Sequence, residues 1–464
     1  MVDAVQTAYI VKGLVNRMSE WTDMYKQKLT TPEQAVTLVK DGDWVDYGMT
    51  TSQPVLLDKA LAGRKDELHD IKVRETMSLF PRQVCECDPD CDTFTVMNWH
   101  LSGYDRKLAA QSRMFFNPMC FRNEPSIYRN IIDVDVAMIT VAPMDKHGYF
   151  NFGLCAAVTE AITKKAKKVI VEVNPHMPRC LGGRGEAIHI SDVDAIVEAP
   201  DVPVPTIPFV LGNDIDQKIA SYIVEAIPDG ATLQLGIGGL PNSVGAMIAK
   251  SDLKDLGVHT EMLVDAFYLM AKEGRLTNKV KNLNRDKGVF AFALGSQDLY
   301  DWVDDNPALA TFPIDYVNDP AVIGQIDNFI SINSCIEVDL YGQVSAESMG
   351  PHQISGSGGQ LDFTDGAYRS RGGKSIIAMH ATHTDKKTGT VTSNISPILK
   401  AGTTVTDPRS QTHWIATEYG MVNLMGKSTW QRAEALIGLA HPDFRDELIK
   451  EADKMHIWRK SNKR

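Results

Sequence analysis

The chain has 464 residues, of which 59 are acidic and 48 basic, for a formal net charge of −11. Apolar residues make up 43% and charged residues 23%, enough for a large core under a solvated surface, which excludes disordered, collagen-like and low-complexity classes. At ~150 residues per domain the length predicts two or three domains, no apolar run reaches the ~18 residues of a membrane span, and a net negative chain is a poor non-specific nucleic-acid binder.

The opening stretch MVDAVQTAYIVKGLVNRM lacks the basic head, apolar block and small-residue cleavage site of a secretory signal. Seven cysteines, an odd count at low density, suit a reducing cytoplasm. The first fifty residues read as helix, helix, strand. Thr31-Pro32-Glu33-Gln34 is a capping box with proline at the first helical position, so AVTLVK is predicted to continue that helix. Cys85, Cys87 and Cys91 lack the paired C-x2-C spacing of a zinc site, so no metal is predicted there.

VDVAMITVAPM is a predicted strand, CAAVTEAITKKAKK a helix with a basic last turn, and VIVEVNP a buried strand. Strand, helix, strand at this spacing is a βαβ unit, which implies parallel pairing in an α/β layer architecture. Residues 199–208, APDVPVPTIP, hold four prolines in ten positions and read as an extended connector. A helix capped near Asn213 or Asp214 follows, and a second α/β pattern begins at ATLQLGIGG. The fold predicted is α/β, two tandem similar α/β domains with mostly parallel sheets, divided as residues 1–210 and 211–464. SCIEVDL turning at Tyr341-Gly342 echoes the earlier VAMITVAPMDKHGYFNF, which suggests related halves. His380 and His383 follow the strand-like SIIAM, and strand alternation would turn them to opposite faces. Ser428-Thr429-Trp430-Gln431 is another capping box; a second helix after Pro442 precedes the basic tail WRKSNKR.

Counting rejects several popular motifs. Gly426-Lys427-Ser428 lacks the leading glycine of a P-loop, because position 421 is methionine. Gly236-x-Gly238 meets Pro241, and Gly356-x-Gly358 meets Leu361, where a dinucleotide fingerprint needs its third glycine. No serine stands in a G-x-S-x-G elbow. Two glycine-rich segments remain. GIGGLPNS lies between a strand and a helix, where backbone N–H groups can approach a ligand. QISGSGGQLDF, between polar strands, could present amides to an oxyanion or phosphate; taken singly, both segments read first as tight turns, because glycine turns are common. Glu261, just before an apolar segment, is either an exposed strand-start residue or a carboxylate pushed into a site.

GIGGLPNSV, HTEM, SINSCIEVDLYGQVSAES, QISGSGGQLDF and EYGMVNLMGKSTWQRAEALIGLAHPDFRDEL, in that order, resemble the acetyl-CoA hydrolase/transferase group of family I CoA-transferases. The likeness is strongest to butyryl-CoA:acetate and 4-hydroxybutyrate CoA-transferases and extends into the N-terminal half through VAPMDKHGYFNFG and VIVEVNP. The resemblance implies a CoA-transferase-like fold with its active site between the two halves, and Glu261 as nucleophile. It puts CoA contacts on Gly238, Gly239, Leu240, Pro241 and Asn242, on Ile336, and on Gly358 and Gly359. Asp265-Ala266-Phe267 departs from the aspartate-glycine of many relatives and predicts a larger, more apolar wall.

The implied reaction moves CoA between acetate and a short-chain acyl-CoA (butyryl-, 4-hydroxybutyryl- or propionyl-), by ping-pong catalysis through a glutamyl-CoA thioester. CoA is then substrate and covalent carrier, with no tightly bound cofactor, no metal, and no nucleic-acid or membrane partner; the resemblance suggests a homodimer or higher homo-oligomer in the cytoplasm. Glu347 is a rival nucleophile. Amide or basic groups, rather than a second acid, are expected beside Glu261. Arg369, Arg371 and Lys374 are candidates to hold the CoA phosphates. An acyl-CoA hydrolase on the same fold, or an inactive CoA-binding regulatory protein, are the alternative readings.

Overall fold

A computed structural model describes residues 20–460. The start of the first expected helix and the last four residues of the basic tail lie outside the described residues; residues 20–28 of that helix are helical.

Apolar β-branched runs build two sheets. The first contains β1 (Trp44–Met49), β2 (Ile71–Thr76), β3 (Phe94–Asn98), β4 (Phe115–Phe116), β5 (Val136–Val141), β6 (Lys168–Val173) and β7 (Ala195–Glu198), in the order β4-β3-β2-β1-β5-β6-β7. Every neighbouring pair in it is parallel. The second contains β8 (Thr232–Leu235), β9 (Gly257–Leu263), β10 (Gly288–Ala293), β11 (Leu309–Thr311), β12 (Phe329–Ser334), β13 (Lys374–Ala378), β14 (Trp414–Thr417) and β15 (Gly420–Asn423). Its order is β11-β10-β9-β8-β12-β13-β14-β15, parallel except for the last pair. Central strands such as VAMITV and GVFAFA are buried at every position, as parallel sheets covered on both faces require.

The strand order reverses at the same place in both sheets, between β1 and β5 and between β8 and β12. The two halves therefore repeat one doubly wound topology. The strand equivalent to Val136–Val141 is Phe329–Ser334, however, and SCIEVDL begins at its end. Glu337–Asp339 pairs with Val344–Ser345 in a small separate sheet, so the expected echo was displaced by one element.

Three helices are shorter or placed differently than predicted. Thr31 does cap its helix, but Pro32–Ala35 passes into a 3-10 turn at Val36–Leu38. In the CAAVTEAITKKAKK segment the helix begins only at Thr159, because Cys155 pairs with Phe292 of β10. QLDF opens the helix Gln360–Arg369 rather than a strand. The capping box at Ser428 and the helix after Pro442 are as expected.

Backbone groups stitch the halves together. Ala293 donates to the Leu154 carbonyl at 2.7 Å, Ala157 to Ala291 at 3.1 Å, and Thr311 to Leu181 at 2.8 Å. The last of these covers β11, which would otherwise be a bare sheet edge. Met49, Phe121, Leu154 and Cys155 from the first half share one apolar core with Met262, Phe292 and Phe363 from the second. The carboxyl ends of both sheets meet at this seam, where ligands of doubly wound folds bind.

Candidate active site

Glu261 sits near the carboxyl end of β9, not at a strand start. Alternation along β9 puts His259 and Glu261 on one face. His259 Nε2 lies 2.7 Å from the Val317 carbonyl, and since a carbonyl only accepts, Nε2 carries the proton. Burial drives the imidazole pKa down to about 3, so the ring is a neutral anchor. It pins the end of the short helix Ile314–Val317, whose next residue, Asn318, donates from Nδ2 to Glu261 Oε2 at 2.6 Å.

The second glycine segment closes over the same carboxylate. Gly358 adopts φ +52°, in the left-handed region. A Cβ on Gly359 would lie 2.0 Å from Glu261 Oε2 and 2.1 Å from Asn318 Nδ2. Only glycine lets the chain pass, and its N–H favours the charged form of Glu261. A Cβ on Gly356 would strike the Trp99 carbonyl at 2.6 Å, so this loop threads between the two halves. The helix that follows starts at Gln360 and presents its positive end to the site.

The cavity against Glu261 has a volume of about 310 Å³. Met49, Met77, Met119 and Phe121 from the first half face Phe292 and Met262 from the second across it. Glu261 and His100 are its titratable lining groups, and burial lowers the His100 pKa to about 4, so that wall carries no positive charge at neutral pH. Ser334 at the end of β12 also lines a larger cavity, about 700 Å³, walled by Leu240, Ile336, His380, His383, Asn394 and Lys400. β13 ends at Ala378, so strand alternation does not separate the two histidines; both face this cavity. His380 Nε2 lies 2.8 Å from Asp216.

Burial is the largest influence on Glu261 and pushes its pKa up to about 7; the Asn318 amide and the Gly359 N–H pull it down, while the nearby Asp362 carboxylate pushes it up. The expected amides are therefore present, but so is a second acid, contrary to expectation. Asp362 is itself buried and meets the Arg122 guanidinium.

The other predicted residues divide by place. Gly238, at φ +115°, caps the helix Gly239–Lys250, so Leu240, Pro241 and Asn242 are helical. Gly239 is required because a Cβ would meet Gly212, beyond the connector, at 2.9 Å, and Asn242 Nδ2 donates to the Val210 carbonyl at 2.8 Å. From the first glycine segment, Gly236 and Ile237 face the Glu261 cavity and Leu240 the larger one. Glu347 is buried outside both linings, its carboxylate accepting from Gln353 at 3.3 Å and Thr406 at 3.1 Å. Arg369 pairs with Asp365, Arg371 with Asp327, and Lys374 donates to the Ala226 carbonyl; none lines either cavity, which corrects their nomination as phosphate holders. Ala266 and Phe267 are buried in the core, with Ala266 packed on Gly245, so the departure from the relatives' pattern is a helix contact and not a cavity wall. No cluster of metal-ligating side chains occurs among the described residues.

Asn318, His100, Arg122, Asp362 and the methionines escaped the sequence reading. Asn318 lies 57 residues from Glu261 and belongs to no motif.

Two doubly wound halves with a desolvated carboxylate at their seam define an enzyme of the CoA-transferase class. The chain belongs to the acetyl-CoA hydrolase/transferase family: the N-terminal domain of that family matches residues 13–208 and the C-terminal domain residues 295–452. Glu261 falls between the two matched stretches. The chain is 53% identical over 444 residues to the butyryl-CoA:acetate CoA-transferase of Anaerostipes caccae, covering 95% of this chain and 99% of the relative. It is 52% identical over 440 residues to a probable butyrate:acetyl-CoA coenzyme A-transferase of Syntrophomonas wolfei, covering 95% and 98%. The crystal structure of RipA from Yersinia pestis superposes with a TM-score of 0.87 at 40% identity, covering 94% of this chain and 99% of that one.

Two outcomes follow from this geometry. For a reaction that needs Glu261 ionised, kcat/KM should rise with pH through about 7, because the protonated carboxyl cannot attack. A pH profile with the acyl-CoA varied checks this. Gly359→Ala should lower kcat/KM about 100-fold, because the added methyl displaces the Glu261 carboxylate from the Asn318 amide and the Gly359 N–H, with thermal unfolding showing the fold retained.

Proposed function

We propose that this enzyme moves CoA between a short, apolar acyl-CoA and acetate, with Glu261 as nucleophile. The observation that carries this is a single carboxylate, hydrogen-bonded by Asn318 and packed against Gly359, opening into a methionine-lined cavity. The Glu261 carboxylate attacks the thioester carbonyl; the tetrahedral oxyanion collapses and expels CoA thiolate, leaving a mixed acyl-glutamyl anhydride. The thiolate then attacks the glutamyl carbonyl, releases the first acid as its carboxylate, and leaves a glutamyl-CoA thioester. Acetate reverses both steps and departs as acetyl-CoA. One thioester replaces another, so no ATP is needed. Each oxyanion needs donors, and N–H groups of the two glycine segments are the candidates at the cavity rim.

CoA would run from Glu261 past Gly236 and Ser334 into the larger cavity, over Leu240 and Ile336, toward Lys400 and His380. Gly238, Gly239, Pro241 and Asn242 act in this reading by shaping that passage. The acyl chain would occupy the space among Met49, Met77, Met119 and Phe121, whose flexible thioethers conform to short chains.

Treatment with acyl-CoA followed by borohydride should convert the side chain at position 261 to an alcohol, read by peptide mass. Reduction at Glu347, or none, would overturn the assignment. Glu261→Ala should reduce exchange by at least about 10³-fold with folding intact. CoA release that requires acetate is the transferase outcome; release without an acceptor is that of a hydrolase. In a donor series, kcat/KM should rise about fourfold per methylene from acetyl- to butyryl-CoA, matching ~0.8 kcal/mol per buried CH₂. Succinyl-CoA should fall at least about 100-fold below butyryl-CoA, because its second carboxylate would be buried unpaired.

A further inference from the structure

The segment Met119–Arg122 of the first half docks along the second glycine loop and the helix it opens. The Ser357 hydroxyl donates to the Met119 carbonyl, Phe121 N–H to the Gly358 carbonyl at 3.2 Å, and Arg122 N–H to Asp362 Oδ2 at 3.1 Å. The Arg122 guanidinium meets Asp362 Oδ1. Asp362 Oδ2 lies 3.4 Å from the same Asn318 Nδ2 that holds Glu261 Oε2 at 2.6 Å. Two buried carboxylates thus converge on one amide, and the cation beside them comes from the opposite half of the molecule.

We propose that Arg122 is a positioning residue for Glu261: by neutralising Asp362 across the seam, it leaves Asn318 free to orient the Glu261 carboxylate and spares that carboxylate an unpaired charge beside it. This rests on Glu261 as the nucleophile. Arg122 touches no reacting atom in that scheme; it acts through Asp362 and Asn318.

The surrounding groups supply no substitute. Around Glu261 stand Asp362, the buried acid Glu124 and the neutral His100. Around Asp362 stand Arg122, the Asp407 carboxyl and the Cys120 thiol. Arg122 is the cation among them. Without it, Glu261 and Asp362 become a like-charged pair sharing one amide, and such a pair binds a proton more readily than either member alone. The seam contact thereby links docking of the two halves to the charge state of the site.

The test is the acid limb of the kcat/KM profile in four variants of the full chain. Arg122→Gln should move the limb up by about one pH unit and lower kcat/KM about fivefold at pH 7. Arg122→Lys should keep the limb near its wild-type position. Asp362→Asn alone should move it down, because Arg122 would then face Glu261 uncompensated. Arg122→Gln with Asp362→Asn should return it to the wild-type position. A merely structural role would lower activity equally at all pH values, and an unmoved limb in Arg122→Gln overturns the proposal. If Arg122→Gln gives no cooperative unfolding transition, Asp362→Asn decides, and an unmoved limb there overturns it. Borohydride labelling of the wild type reports on Glu261 independently: labelling at 261 with unmoved limbs refutes Arg122 alone, whereas labelling elsewhere refutes the nucleophile itself.

Discussion

One constraint organises this molecule: a carboxylate must be stripped of water and still remain able to ionise. Desolvating an unpaired carboxylate costs several kcal/mol, and the protein offsets it at Glu261 with one side-chain amide, one backbone N–H and the positive end of a helix. The result is a group poised near neutrality. A fully solvated glutamate would be ionised but weakly reactive, and a wholly apolar pocket would keep it protonated.

Neither half meets that constraint alone. β9 supplies Glu261, and the glycine loop and Asn318 also belong to the second half, but the roof over the loop is His100 and the 119–122 segment of the first. The methionine wall of the cavity is likewise contributed largely from the first half. Duplicating one doubly wound topology brings two switch points face to face, with the cleft between them at the seam. The backbone bonds between residues 154–157 and β10 tie the two halves together beside that cleft.

The glycines illustrate how the same residue type serves different needs. Gly358 is required by its left-handed backbone and Gly359 by the carboxylate that occupies its Cβ position. Gly239 is required instead by the close approach of the Gly212 backbone. A glycine-rich string alone does not separate these cases, which is why the sequence reading weighed ligand loops and tight turns together.

Sequence carried the architecture far. The buried β-branched runs, the βαβ spacing, the proline connector and the caps at Asn213 and Ser428 are local signals, set by backbone sterics and hydrophobic periodicity, and they reappear in the structure. The family resemblance carried by HTEM and the glycine segments nominated Glu261, and the structure sets it in the wall of the seam cavity. What the chain could not display locally was convergence. Asn318, Arg122 and Asp362 meet only because three separate elements cross at the seam, and single exposed-type residues in unremarkable loops leave no periodic trace. The misplacement of Arg369, Arg371 and Lys374 has the same origin: proximity in sequence to a glycine loop says nothing of which way a helix then carries the charge. Local chemistry determined what each segment could become; the packing of one half against the other decided which side chains share the buried space at the seam.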